Sequence, residues 1–388
     1  MKHPHKNKEF MPKRWISCPV EEEYLGEDRK EGKKERKIAT AKDRSKYKKT
    51  DQTKYLKSLE KEQEGKLAKR DWLEGRVLSI VSQGIIVEEK GQKFSCVLKG
   101  LLKKDKTQAK NLVTVGDFVL FEKTSSYEGI IAQIKPRRTT LSRADNLSRR
   151  KEQLIAANID QVLITLSVVN PVLKPPLVDR YIIATRKGGM DPIIVVNKVD
   201  LLQDNTNRDS VLIEQEMEIY QEFLKAYAAI GIPVLSVSIM TGEGIEELRQ
   251  IMKDKASVFS GQSGVGKSSL INLMTGLDLK VGETVERTKK GAHTTTTTQL
   301  IPLSFGGWCI DTPGIKSFGV WDLKREEIEG YFSEIHAYGL TCKFPNCSHS
   351  HEESCAVIQA LEEGNISPIR YESYQALVQS VSEEHVRR

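Results

Sequence analysis

The sequence predicts three folded parts in series: a small closed β-barrel of the OB type, an α/β domain on a mostly parallel sheet, and a short helical domain held by a metal ion. Three observations carry this reading. From Trp72 to about residue 140, short β-rich runs follow one another with turn residues between them. From about Asn158, near-continuous apolar runs alternate with helical patterns, the texture of a parallel sheet covered on both faces. Beyond about residue 320, three cysteines and two histidines fall within fourteen positions of a short, mostly helical tail.

The chain of 388 residues is long enough for two to four domains. With 38% hydrophobic and 29% charged residues it reads as a soluble globular protein with a polar appendage. No uncharged apolar stretch is long enough to cross a bilayer. The N-terminus MKHPHKNKEF has basic residues without an apolar run after them, so a secretory signal is not expected and a cytoplasmic location is. Charge is uneven. Residues 1–70 hold 22 Lys and Arg against 13 Asp and Glu, leaving 38 and 40 for the remainder. Such a segment buries too little apolar surface to offset its ordering entropy, so residues 1–70 are expected to be a basic, disordered tail. An electrostatic arm for nucleic acid and a plain solvated tail both fit it.

The barrel is expected over residues 71–142. Its strands are the runs Gly75–Val81, Gly84–Val87, Lys93–Leu98, Asp117–Phe121 and Gly129–Ile134, with no long helical pattern between them. Five short strands in some seventy residues suit an OB barrel, which often binds oligonucleotides but can equally be a plain support. The α/β domain is expected over residues 143–322. Its apolar strands lie at Gln161–Val169, Pro192–Val196, Pro233–Val237 and Ala256–Phe259, with helices at Glu214–Ala229 and Gly244–Met252.

Within that domain, Gly261-Gln262-Ser263-Gly264-Val265-Gly266-Lys267-Ser268 fits G-x-x-x-x-G-K-[ST], between an apolar strand and the helical run Leu270–Met274. Glycines let the backbone curl so that its amides face phosphate oxygens, aided by a helix N-terminus. Lys267 is expected to neutralise the β- and γ-phosphates, and Ser268 to hold Mg²⁺. Asn197-Lys198-Val199-Asp200 follows the strand Ile193–Val196. The Asp200 carboxylate can accept from the ring N–H and amine of guanine; adenine has neither donor there and would leave it unpaired. Asn197 is expected to tie this loop to the phosphate loop, and the Lys198 stem to cover the base. Ser238-Ile239-Met240-Thr241-Gly242 stands where a backbone amide can meet guanine O6.

Trp308-Cys309-Ile310-Asp311-Thr312-Pro313-Gly314 ends a strand in D-x-x-G: Asp311 is expected to reach Mg²⁺ through water, and the Gly314 amide to sense the γ-phosphate. Before it lies Gly291-Ala292-His293-Thr294-Thr295-Thr296-Thr297-Thr298, in which one threonine, with Thr294 and Thr295 the candidates, completes the Mg²⁺ shell. The order is informative. Ordinary GTPases place the phosphate loop first and the base-reading loops last; here residues 197 and 238 precede 261, 294 and 311. All the parts of an α/β P-loop GTPase are present in circularly permuted order, which a fold with neighbouring termini tolerates. Ile315 stands where many GTPases carry a glutamine that orients water, so another group must do so, and His293 is the nearest candidate.

The tail, residues 323–388, carries Cys342-x₄-Cys347-x-His349-x₅-Cys355. Three thiolates and an imidazole satisfy Zn²⁺ tetrahedrally with no open position, so a structural zinc is expected, with His351 a competing ligand. A domain this small gains much of its folding free energy from metal.

These residues resemble the ribosome small-subunit-dependent GTPase A family, through NKVD, S-x-x-TGEG at 238–244, GQSGVGKSS at 261–269 ending on Ser269, G-x-HTTT at 291–296, DTPG at 311–314 and the cysteine cluster. The resemblance spans residues 72 to about 360. It implies an OB barrel, a permuted GTPase domain and a zinc-containing helical domain, with GTP, GDP, the small ribosomal subunit and its rRNA as partners. It also implies GTP hydrolysis stimulated by that subunit, and a part for the switch histidine, His293, in hydrolysis. Ala292 departs from the arginine common there. A monomer with no membrane partner is expected. The alternative reading is a GTP-regulated RNA-binding protein whose hydrolysis is incidental.

Overall fold

The computed structural model describes residues 72–99, 112–145, 148–204, 208–277, 298–311, 323 and 325–386. The tail 1–70, His293, Thr294, Thr295, Ile315 and Gly314 lie outside them.

Five strands form the barrel: β1 Leu73–Val81, β2 Gly84–Glu89, β3 Gln92–Leu98, β4 Phe118–Lys123 and β5 Glu128–Ile134. β1 pairs with both β2 and β4, β3 runs parallel to β5, and β4 pairs with β5, so the sheet closes on itself in the order β1-β2-β3-β5-β4-β1. Strand alternation explains the closure. Val77, Val87, Phe94, Cys96, Val119, Phe121 and Ile131 point inward and are buried, with the Phe94 and Phe121 rings 5.2 Å apart.

A two-stranded hairpin, β6 Thr140–Asp145 and β7 Ser148–Ala157, follows the barrel. The chain then builds a six-stranded sheet in the order β10-β9-β8-β11-β13-β12. Its members are β8 Gln161–Leu166, β9 Asp191–Asn197, β10 Val234–Val237, β11 Ala256–Gly261, β12 Gln299–Pro302 and β13 Trp308–Asp311. All are parallel except β12, which runs antiparallel to β13. β8 and β11 are buried along their whole length, as strands covered on both faces must be. Helices α1 Pro175–Lys187 and α2 Ser210–Ala229 bring Tyr181, Phe223 and Tyr227 to one apolar cluster. Helices α3 Ile245–Met252 and α4 Lys267–Thr275 supply Leu248, Met252, Leu270 and Met274 to another.

Among the described residues after β13 there are four helices: α5 Arg325–Tyr331, α6 Ser333–Gly339, α7 Ala356–Glu362 and α8 Pro368–Val386. Their core of Ile328, Phe332, Ile335, Val357, Tyr374 and Leu377 takes in Ile183 from α1. The junction with the α/β unit is polar as well. Arg370 on α8 donates to Asp179 on α1 and, at 2.7 Å, to Glu334 on α6, while its guanidinium lies 4.2 Å from the Phe332 ring centroid. Asp179 also accepts from Ser373 and is completely buried.

The barrel meets the α/β unit at one strand edge. Ser79 of β1 is in register with Gln299 of β12, and Gln299 is in register with Asp311 of β13. Arg76 donates to the Asn158 carbonyl at 2.6 Å and lies between the Phe118 and Trp308 rings, 5.1 and 5.7 Å from their centroids. Burial lowers its pKa to about 10, against the pull of Asp160.

Candidate nucleotide site and metal cluster

Parallel α/β sheets bind ligands in the crevice beyond the carboxyl ends of their strands. Here β9 ends on Asn197, β11 on Gly261 and β13 on Asp311, and Ser238 directly follows β10. The loops singled out in the sequence therefore emerge side by side.

Two of them are joined directly. The Asn197 amide Nδ2 donates to the Val265 carbonyl at 2.8 Å, and Asn197 is only 2% exposed. Gly266 makes this approach possible: its φ is +93° and a Cβ there would stand 2.3 Å from Asn197 Nδ2. Lys198 takes the left-handed conformation at φ 64° and donates from Nζ to the Gly264 carbonyl at 2.6 Å and the Asn170 carbonyl at 2.8 Å. Its stem thus runs from the base-reading loop to the phosphate loop.

Asp200 sits in the 3₁₀ turn Val199–Leu202 and accepts from Ser238 Oγ at 2.5 Å. Ser238 is fully buried and accepts in turn from the Thr241 amide at 3.2 Å. One Asp200 oxygen is thereby held in place by the loop after β10, which orients the carboxylate for a ligand's paired donors.

The phosphate loop is tight for a visible reason. Gly261 has φ +143°, and a Cβ there would lie 2.0 Å from the Thr165 carbonyl on β8. Lys267 Nζ donates to the carbonyls of Gly261 at 2.8 Å and Gln262 at 2.5 Å, so its ammonium lies across the loop. Val265 is buried, whereas Ser263 and Gly264 are exposed on the loop's outer side. Ser268 and Ser269 sit in the first turn of α4, which opens after Gly266. Asp311 ends β13 opposite Gln299.

The cysteine cluster is likewise brought together. The ligand atoms of Cys342, Cys347, His349 and Cys355 all lie within 4.8 Å of one another. Cys342 and Cys355 Sγ are 3.8 Å apart, and His349 Nδ1 is 3.6 and 3.4 Å from them. Tetrahedral zinc, with bonds of about 2.3 Å to sulfur and about 2.0–2.1 Å to nitrogen, requires edges of about 3.8 and 3.5 Å. The donor set fits zinc in kind and in spacing. Between the two candidate histidines the structure is decisive: His349, at φ 55°, turns into the cluster, while His351 is exposed beside Ser350 Oγ at 2.9 Å. Burial pushes the Cys347 thiol up to about 12, a cost that a coordinated dication reverses by holding the thiolate.

Sequence reasoning missed Arg76, Asn158 and Gln299 at the barrel junction and the Asp179–Arg370 pair at the helical one. Only the left-handed Asn158, at φ 54°, belongs to a residue type that hints at its backbone role.

Known proteins resemble the chain throughout this architecture. A family model described as RsgA GTPase matches residues 134–321. A small ribosomal subunit biogenesis GTPase RsgA of Chlorobaculum tepidum is 39% identical over 325 residues, 81% of this chain and 100% of the relative. One of Saccharophagus degradans is 39% identical over 276 residues, 71% of this chain and 78% of the relative. Among solved structures, YjeQ from Thermotoga maritima superposes with a TM-score of 0.63 at 29% identity, covering 80% of this chain and 98% of that one. YloQ, described as a circularly permuted GTPase, gives 0.62 at 27% identity over 81% and 96%. With its closed barrel, its permuted loops meeting at one sheet edge and relatives that match it over most of their length, the chain belongs to the RsgA GTPase family.

Proposed function

We propose that this GTPase acts in maturation of the small ribosomal subunit, binding its rRNA and hydrolysing GTP under its control. The observation that carries the nucleotide reading is the direct bond from Asn197 to Val265, which joins the loop of Asp200 to the loop 261–269 and supports a shared crevice for base and phosphates. The subunit enters through the relatives, which are named small ribosomal subunit biogenesis GTPases.

In this reading Asp200 and the loop at Ser238 select guanine, with Lys198 over the base and Asn197 bracing the two loops. Amides of Gly261, Gln262, Ser263, Gly264, Val265 and Gly266 cradle the phosphates, helped by Lys267 and Ser269. Ser268, Asp311 and a threonine of the run containing Thr294 and Thr295 are the Mg²⁺ partners, and the Gly314 amide reports the γ-phosphate. Magnesium, when bound, neutralises charge across the β- and γ-phosphate oxygens. His293 positions the attacking water in place of the glutamine that Ile315 replaces. Zinc at Cys342, Cys347, His349 and Cys355 is structural. The functional units are the barrel 71–142, the GTPase domain 143–322 and the zinc domain 323–388, with the basic residues 1–70 as an arm toward RNA. A role on the ribosomal subunit supports a cytoplasmic location, and the protein is read as a monomer.

The test is GTP turnover with and without purified small subunits, for the native chain and for His293→Ala. Slow turnover alone and a large acceleration on subunits is expected. His293→Ala should keep its affinities for GTP and GDP and lose about 10²-fold of the stimulated rate. RNA binding without any acceleration would favour a GTP-regulated RNA-binding protein instead.

A further inference from the structure

We propose that Glu329 is the outer-shell carboxylate of the metal cluster: it receives the Nε2–H of His349 and thereby holds the imidazole with Nδ1 toward the metal. The inference rests on the zinc reading above.

The ring's own geometry leads there. His349 Nδ1 faces the thiol sulfurs at 3.4 and 3.6 Å, so Nδ1 is the ligand nitrogen. A neutral imidazole that coordinates through Nδ1 carries its proton on Nε2. That Nε2 is buried, in a residue 2% exposed, and has no hydrogen-bond partner within 3.5 Å among the described residues. The Glu329 Oε2 oxygen stands 3.6 Å from it, a few tenths of an ångström beyond bonding distance. A buried N–H beside a carboxylate, with the opposite nitrogen facing the metal ligands, is how metal-binding histidines are ordinarily placed.

The carboxylate is itself held. Its Oε1 lies 3.2 Å from His336 Nδ1 on α6, and the Gly339 backbone crowds the same oxygen so closely that a Cβ there would come within 2.6 Å. On the far side, the Tyr371 hydroxyl donates to the His349 carbonyl at 2.5 Å. His349 is thus gripped through its ring from α5 and through its backbone from α8. A role confined to the Glu329–His336 pair would not explain the arrangement: that pair is half-exposed and worth little by itself, yet the second oxygen is turned into the cluster. Glu329 comes from α5, the first described helix after Asp311, and not from the cysteine loop. The contact therefore ties the metal loop to the helix that continues the nucleotide-binding chain.

Two isosteric replacements in the full-length protein separate the roles, since Gln keeps an acceptor and Met keeps only the length. Zinc content and zinc transfer to a competing chelator are measured, together with ¹⁵N spectra of the histidine rings. Glu329→Met should weaken zinc about 10–100-fold and release it faster, with GTP affinity unchanged. Glu329→Gln should hold zinc close to the native level, and His336→Ala, which removes one support of the carboxylate, should speed release less than Glu329→Met does. In the native protein the His349 Nε2–H should exchange slowly with solvent, and in Glu329→Met rapidly. Native-like zinc retention and exchange in Glu329→Met, with one zinc per native chain, would overturn the proposal while leaving the zinc reading intact. Absence of zinc from the native protein would instead overturn that reading.

Discussion

Replacing Arg370 with methionine should cost more stability than any substitution on the surface of the helical domain. Arg370 is 3% exposed and Asp179 is 1% exposed; with Ser373 and the fully buried Tyr227 ring they form the polar centre between α1, α2 and α8. Methionine refills the stem's volume, so the loss is electrostatic. Glu334, 15% exposed, can turn to water, but Asp179 cannot and is left with the Ser373 and Tyr227 hydroxyls. Breaking a buried pair by removing one partner costs about 3–5 kcal/mol. Spread over the α/β and helical units that the pair joins, that lowers the melting temperature by about 6–20 °C. The pH dependence has a definite sign. Burial already raises the Asp179 pKa, with Arg370 and Ser373 pulling it down; without Arg370 it rises further. A carboxyl whose folded pKa exceeds its unfolded value contributes stability below the unfolded pKa and loses it as pH climbs through the folded one. The Arg370→Met deficit should therefore be smaller at pH 5 than at pH 8. Calorimetry of the full chain at both values measures this, and Arg370→Met combined with Asp179→Leu should recover most of the loss. A native melting profile in the single variant, or no recovery in the double, would refute the reasoning.

At the nucleotide site, Asp200→Asn should weaken GTP binding by about 2–4 kcal/mol and improve binding of xanthosine nucleotides, as isothermal titration would record. Unchanged GTP affinity would remove Asp200 from base recognition. Lys267→Ala and Ser268→Ala should each abolish phosphate release in single-turnover assays, since phosphate neutralisation and metal placement are lost; near-native turnover in either would sink the phosphate-loop assignment. Zinc should be present at about one equivalent per chain, and Cys347→Ser should release it and loosen α5–α8 while GTP binding persists. Metal analysis of protein prepared without chelators checks the first part and hydrogen exchange the second.

Much of this was legible in the sequence because the signals are short-range. The barrel strands show as period-two runs, and their inward residues, Val77, Val87, Phe94 and Phe121 among them, are the ones an alternation pattern selects. The phosphate loop and NKVD are compact because backbone must curl within a few residues. What stayed hidden has no local signature. Helix α1 buries ten residues on all its faces, Tyr181 and Asp179 included, so it shows no amphipathic stripe, although Pro175-Pro176 marks its start. The hairpin β6–β7 is written in charged residues such as Arg143, Arg149, Arg150 and Lys151 and lacks an apolar alternation. Asp179 and Arg370 are 191 positions apart, and nothing near either residue announces the other. The sequence pattern already favoured His349 over His351, and the structure gathers His349 with the three cysteines while His351 stays exposed.

The permuted order has a mechanical consequence that an unpermuted domain of the same parts would lack. In this chain the segment from Thr294 leads into β12, whose far edge is in register with the barrel strand β1 at Gln299–Ser79. The strand β13, which ends on Asp311, begins at Trp308 beneath the barrel's Arg76. The segment after Asp311 runs into α5, whose Ile328 belongs to the helical core and whose Glu329 stands 3.6 Å from His349. The stretch before β12 thus leads into the strand that meets the barrel, and the stretch after Asp311 leads from the nucleotide-binding sheet into the helical domain. Shifting the barrel or the helical domain changes the end-to-end restraint on those stretches, and ordering the stretches biases the positions of the two domains. Reciprocity of this kind is required by linkage once the anchors differ in energy between two states.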